Sequence, residues 1–141
     1  MTYDLDRFVS EQQGSYPGIV EELRAGRKWN HWIWFIFPQI AGLGHSWMSQ
    51  RYSIASLGEA RAYLADPLLG ARLRECAGIL LATKGRRADE IFGSLDAMKV
   101  RSSMTLFLRA APDEPLFQEV LDRFYDGIPD PLTDEQLGRL A

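Results

Sequence analysis

The chain has 141 residues, 46% of them hydrophobic and 25% charged, with a net charge of −3 and one cysteine, Cys76. That composition is the composition of a folding chain, and the length fits a single domain over residues 1–141 with its own core; a disordered chain is excluded. The negative balance argues against general nucleic-acid affinity, and the longest apolar run, the six residues Trp32 to Phe37, falls far short of the roughly twenty that a membrane span needs.

Near the start, Asp4 and Asp6 stand where a signal peptide would carry positive charge, and one thiol permits no internal disulfide, so a reducing cytoplasm is the expected location. Asp4 is a candidate N-cap for a helix carrying Leu5, Phe8, Val9 and Gln12. Ile19, Val20 and Leu23 follow Ser15 and Pro17 at helical spacing and stop at Gly26. Next comes the stretch RKWNHWIWFIFPQIAGLGHSW, residues 27–47, which holds all four tryptophans and both histidines. Trp29, His31, Ile33, Phe35 and Phe37 also fit the period of a strand, and Trp, Ile and Phe favour strands. A lone strand would leave its ladder unpaired and no second convincing strand is present, so residues 32–37 read as a buried helix.

Further on, Ser56 and Glu59 form a capping box, and Asp66-Pro67 restarts a helix in which Leu69, Leu73, Ala77, Leu80 and Leu81 keep helical spacing to about Thr83. A short turn over Ala88–Phe92 precedes a long helix whose Val100, Met104, Phe107, Leu108 and Ala111 share one face, closed by Pro112. Leu116, Val120, Leu121 and Phe124 mark another helix ending at Gly127, and Thr133 with Gln136 repeats the capping box for the last. The reading is a compact all-α bundle of about eight short helices in orthogonal rather than long up-down packing.

Charge is uneven along this framework. Residues 72–109 hold eight basic and four acidic side chains, and residues 110–141 hold two against eight. Either the acidic C-terminal helices pack beside the basic middle ones, or the middle forms a basic concavity for an anionic ligand.

Several residues are candidates for chemistry. Gly42 and Gly44 in PQIAGLGHSW allow an anion-binding nest of amide N–H groups or, more plainly, a tight turn between helices. His45 in that loop is a candidate general base or phosphate donor, whereas His31, within the aromatic segment, is expected to bond a backbone carbonyl in the core. In DAMKVRSS, Asp96, Lys99 and Ser103 fall on one helix face with Ser102 and Thr105 beside them. They read as a surface ion pair with hydroxyls bonded to the preceding turn, or as a ligand wall. In that wall Lys99 neutralises an anion, Arg101 sits at the rim and the hydroxyls fix orientation. Trp32 and Trp34 belong to the core; Trp29 and Trp47 could offer ring faces for stacking. Cys76 belongs to core packing. Asp126, Asp130 and Asp134 serve caps and turns, since the calcium-loop order is absent. The spacing of histidines, cysteine and carboxylates gives no metal site, and no cofactor is implied.

The blocks GRKWNHWIWFIFPQIAGLGHS, EARAYLADPLLGARL, IFGSLDAMKVRSSMTLF and VLDRFYDGIPDPLT resemble the successive signatures of an uncharacterised bacterial family. The resemblance runs over nearly the whole chain. It implies a compact all-α fold and no established function. The "calpastatin family" label often given to such chains does not suit this one, because inhibitor repeats of that kind are disordered. A fainter likeness, in EA..YL.DP and K.RSSM, is to helical enzymes acting on NAD-derived and ADP-ribose-like compounds.

Two functions follow as expectations. In the first, a small anionic, nucleotide-like or ADP-ribose-like ligand lies between the aromatic and glycine segment and the Lys99 helix. Trp29, His31, Gln39, Gly42, Gly44, Ser46, Trp47, Arg101, Ser102, Ser103 and Thr105 would line the site. Asp96 or His45 would move protons and Lys99 would serve as electrostatic stabiliser or nucleophile in any reaction. In the second, the chain is a noncatalytic module that anchors a protein through Trp29, Trp47, Arg27 and Lys28. A monomer or weak homodimer is expected, without nucleic-acid or membrane partners.

Overall fold

Prolines, glycines and short polar side chains divide the chain into ten helices among residues 3–140, which the structure, a computed structural model, describes. In order they are α1 (Asp6–Gln12), α2 (Tyr16–Arg24), α3 (Ile33–Ile36), α4 (Trp47–Arg51), α5 (Leu57–Ala65), α6 (Leu69–Ala82), α7 (Ala88–Phe92), α8 (Ser94–Ala110), α9 (Leu116–Phe124) and α10 (Pro131–Leu140). The fold is all-α, with more helices than the eight or so expected; the short α4 is the one that the sequence reading does not include.

Capping chemistry explains several boundaries. Ser56 Oγ accepts the Glu59 N–H at 3.1 Å, while the Glu59 carboxylate turns back to the Ala55 N–H at 2.7 Å and to Arg7 at 3.0 Å. Asp66 Oδ1 accepts the N–H groups of Leu68 and Leu69, both at 2.9 Å, and so starts α6 across Pro67. Two expected caps lie elsewhere. α1 begins at Asp6 without a side-chain cap from Asp4. α10 begins at Pro131, and Asp130 rather than Thr133 caps it: Asp130 Oδ2 accepts the Thr133 N–H at 3.2 Å and its hydroxyl at 2.6 Å. Proline suits a first helical position because its missing N–H would have no partner there, and a carboxylate suits the position before it.

The aromatic segment is buried as expected, yet helical only over Ile33–Ile36. Residues before a proline avoid the helical region, so Phe37 turns out of the helix ahead of Pro38. The strand-like character of the segment then surfaces as one isolated parallel bridge between Ile40 and Ile54. There the Ile54 N–H donates to the Gln39 carbonyl and the Ala41 N–H to the Ile54 carbonyl, each at 2.8 Å. Beneath the segment lies Glu22. Its carboxylate accepts the backbone N–H of Trp29 (2.6 Å) and Asn30 (3.0 Å), the Asn30 amide (2.8 Å) and the Trp32 indole N–H (3.0 Å).

α8 is the axis of the molecule, packing against α3, α5, α7, α9 and α10, while α6 packs against α2, α5 and α9. Rings connect these layers: Phe8 meets Tyr63 edge-on at 5.1 Å, Tyr63 meets Phe107 at 5.4 Å and Phe107 meets Phe117 at 5.9 Å. Because α8 is covered from most sides, little of it faces solvent, and that little forms one wall of the cleft described next.

Candidate functional site

A cleft of about 350 Å³ separates residues 39–49 from the N-terminal half of α8, with the entry to α10 closing a third side. The loop therefore does meet the Lys99 helix. From the loop come Gln39, Leu43, Gly44, His45, Ser46 and Ser49; from α8 come Leu95, Met98, Lys99, Arg101 and Ser102; from the approach to α10 come Asp130 and Leu132. Its apolar side chains are unusual for a free surface, since Leu95, Met98 and Leu132 are 68%, 64% and 57% exposed. Lys99 and Arg101 supply positive charge, and His45 supplies an exposed imidazole.

Lys99 is held from behind. Its Nζ lies 3.2 Å from Asp96 Oδ1 and 5.1 Å from the centre of the Trp34 ring, a cation–π contact. Lys28 repeats the arrangement, 2.8 Å from Asp96 Oδ2 and 5.3 Å from the Trp32 ring. Asp96 thus carries one lysine on each oxygen, and each lysine rests on a tryptophan from the aromatic segment. Desolvation works to raise the Asp96 pKa, but the hydrogen bonds and charges of Lys28 and then Lys99 outweigh it and hold the carboxyl below its ordinary value. An acid held ionised in this way is a poor proton carrier, and Asp96 does not line the cleft; it contacts the cleft through Lys99. Lys99, paired with Asp96 and resting on Trp34, brings its charged end to the edge of the cleft.

The hydroxyl row on α8 divides. Ser102 Oγ stands 2.8 Å from Asp130 Oδ2 and 3.1 Å from the Met98 carbonyl; Thr105 donates to the Arg101 carbonyl at 2.9 Å and accepts the Asp130 N–H at 2.8 Å. Arg101 donates from Nε to the Ile128 carbonyl at 2.9 Å and from Nη2 to the Pro129 carbonyl at 3.0 Å. These three side chains fasten residues 128–130, and with them one cleft wall, onto α8. Of the three, Arg101 and Ser102 also line the cleft and Thr105 does not. Ser103 lies fully buried on the core side, its Oγ without a hydrogen-bond partner among the described residues, and cannot reach a ligand in the cleft.

Of the other expected ligand residues, Gln39, Gly44 and Ser46 line the cleft, and Gly42, His31, Trp29 and Trp47 lie outside it. Gly42 has φ +98°, and a Cβ there would stand 2.3 Å from Gln136 Nε2 on α10; at Gly44 a Cβ would stand 2.4 Å from Ser49 Cβ on α4. Packing and turn geometry therefore explain both glycines, and only Gly44 borders the cleft. Ser46 caps α4, its Oγ accepting the Ser49 N–H at 3.0 Å. His31 is exposed rather than bonded within the core, its ring 6.5 Å from that of Trp34 and facing a separate hollow beside α2. Trp29 and Trp47 are 61% and 72% exposed and stand clear of the cleft. No group of three or more His, Cys, Asp or Glu is placed to hold a metal among the described residues.

Leu95 and Met98 were not singled out from the sequence, although a signal was there: both are large and apolar yet fall opposite the Val100–Met104–Phe107 core face of α8. Asp130 and Leu132 reach the site only through the tertiary fold.

This arrangement belongs to a known all-α architecture. The chain aligns at TM-score 0.94 and 50% sequence identity, over 96% of its own length and 97% of the other's, with the crystal structure of the conserved hypothetical protein Rv1873 from Mycobacterium tuberculosis. Residues 2–137 match the family described as protein of unknown function, DUF1810, and the chain belongs to that family. No curated protein matches the chain.

Proposed function

We propose that the chain binds a small anionic molecule with an apolar or flat body, nucleotide-like or ADP-ribose-like, in the cleft between residues 39–49 and α8. One observation carries this reading: Lys99 and Arg101 converge with Leu95, Met98 and Leu132 in a single concavity, so charge and exposed apolar surface occur together. A purely electrostatic surface would have no use for the leucines and methionine, and a purely apolar one would not place an ammonium between a carboxylate and a tryptophan ring at its edge. In a reaction run there, His45 would move protons and Lys99 would stabilise negative charge. The faint likeness to helical enzymes of ADP-ribose chemistry points to the same ligand class.

Thermal denaturation against ADP-ribose, NAD, mononucleotides and inorganic phosphate tests the proposal. A ligand at a hundredfold excess over its Kd raises stability by about 2.7 kcal/mol. The expected result is a shift with at least one nucleotide-like anion that Lys99→Ala abolishes; absence of any shift across the panel refutes it. The exposure of Trp29 and Trp47, with the Arg27 guanidinium 5.6 Å above the Trp29 ring, favours a second reading as a protein-binding module. That reading predicts partner capture lost on Trp47→Ala and retained in Lys99→Ala.

A further inference from the structure

The C-terminal ends of α2 and α6 meet at a second, shallower concavity of about 360 Å³, which shares no residue with the cleft. Arg24, Gly26, Thr83, Lys84 and Arg86 are among the residues lining it. Arg27 follows Gly26 directly, and Arg123 on α9 donates to the carbonyl of the lining residue Thr83 at 3.0 Å. None of Arg24, Arg27, Lys84 or Arg86 forms an ion pair among the described residues. The next cation in the loop, Arg87, is by contrast neutralised by Asp89 at 3.1 Å and Glu90 at 3.9 Å.

Part of this positive charge has a structural explanation. The C-terminus of a helix carries roughly half a negative charge, so two such ends balance about one cation. Three lining cations, with Arg27 and Arg123 at the margin, exceed that, in a chain whose net charge is −3. Shape adds to charge. Gly26 has φ +70°, and a Cβ on it would stand 3.2 Å from Arg86 Cδ, so the Arg86 side chain lies across the glycine and its head group is carried to the α2 side of the hollow.

We infer that this concavity binds a compact oligophosphate, two or more linked phosphoryl groups, free or as the tail of a larger molecule. Several cations on two separate elements match a ligand with more than one charged centre, and arginine forks suit phosphate oxygens. A concave site of this size fits a compact anion better than an extended acidic polypeptide.

Calorimetric titration of the full chain in about 0.1 M salt, where the screening length is near 10 Å, tests the inference with tripolyphosphate, pyrophosphate, ATP and sulfate. The expected result is saturable 1:1 binding of tripolyphosphate, tighter than sulfate, and weakened at least tenfold in both Arg24→Ala and Arg86→Ala. Both side chains are exposed, and Lys84→Glu supplies an independent charge reversal that should do the same. Equal affinity for ATP and tripolyphosphate identifies the phosphates alone as the ligand, and tighter ATP binding identifies them as a tail. The inference is overturned by absence of saturable binding, by binding that both arginine variants retain, or by binding lost only in Lys99→Ala, which would place the anion in the cleft. Capture of an acidic peptide with no oligophosphate binding also overturns it.

Discussion

Glu22 is a carboxylate 7% exposed, held by donors that all come from residues 29–32. Desolvation pushes its pKa upward, yet the N–H groups of Asn30, Trp32 and Trp29 together outweigh that cost and hold it below the ordinary value. A depressed carboxyl stabilises the fold fully above the unfolded-state pKa, about 4.3 for glutamate, and the contribution disappears as pH falls through the lower folded value. Glu22→Ala leaves the buried Trp32 indole N–H and three partly buried donors without their acceptor and should cost about 3 kcal/mol, with Glu22→Gln intermediate because only one of its oxygen positions still accepts. Urea denaturation at pH 7 measures both. The margin between the native chain and Glu22→Gln should narrow below pH 4; a margin constant from pH 7 to pH 3 would show that the carboxylate charge is not the anchor. The same segment supplies Trp32 and Trp34 to Lys28 and Lys99, so Glu22 fixes, at one remove, the rings on which the cleft lysine and its counterpart rest.

Among elements, α6 carries two glycines of opposite consequence. A Cβ at Gly70 would stand 2.1 Å from the Leu64 carbonyl oxygen, a backbone atom at the end of α5 that cannot move aside cheaply. A Cβ at Gly78 would meet nothing within 4 Å. Gly70→Ala should therefore destabilise by about 3 kcal/mol or more through steric overlap, and Gly78→Ala should stabilise by about 0.5–1 kcal/mol through reduced chain entropy. Chemical denaturation of the two variants side by side reads the difference, and like signs would show that α5 and α6 do not cross at Gly70. The sequence carries no such contrast, because both glycines sit in the same amphipathic pattern. What was legible was local: the Ser56 and Asp66 caps, the period of α8 and α9 and the stop at Pro112 all depend on residues within a turn or two. What was not legible depends on distant partners. α4 follows a glycine loop too short for periodicity, Asp130 is chosen as cap through Ser102 and Thr105 on α8, and Asp96 is paired from Lys28, far back along the chain. The cleft was legible in part for the same reason. Lys99 and His45 stand out by residue type, whereas burial decides that Ser103 faces the core and His31 does not.

At the scale of the molecule, the uneven charge is partly consumed by packing. The acidic C-terminal region clamps the basic middle through two forked arginine–carboxylate pairs, Arg74 with Glu114 at 2.8 and 3.1 Å and Arg109 with Asp134 at 2.9 Å twice. Both are partly exposed, so they orient α6, α8 and α10 more than they stabilise them. Among the basic side chains without an ion pair among the described residues are those at the ends of α2 and α6, Arg24, Lys84 and Arg86. Cooperativity of the whole can be read from Cys76. The thiol is fully buried on α6, burial pushes its pKa up to about 12, and the Tyr16 hydroxyl stands over it at 3.7 Å. A thiol reagent at pH 8 should therefore react with the native chain only through opening, and opening of the whole fold makes the modification rate track the equilibrium population of the open state. Each 1.4 kcal/mol of stability then changes the rate about tenfold. Gly70→Ala should accelerate labelling by roughly a hundredfold on that scale and Gly78→Ala should slow it severalfold. A rate the two variants share would place the opening locally, at the α2–α6 contact where Tyr16 covers the sulfur, and would separate the basic concavity at the far end of those helices from the stability of the core.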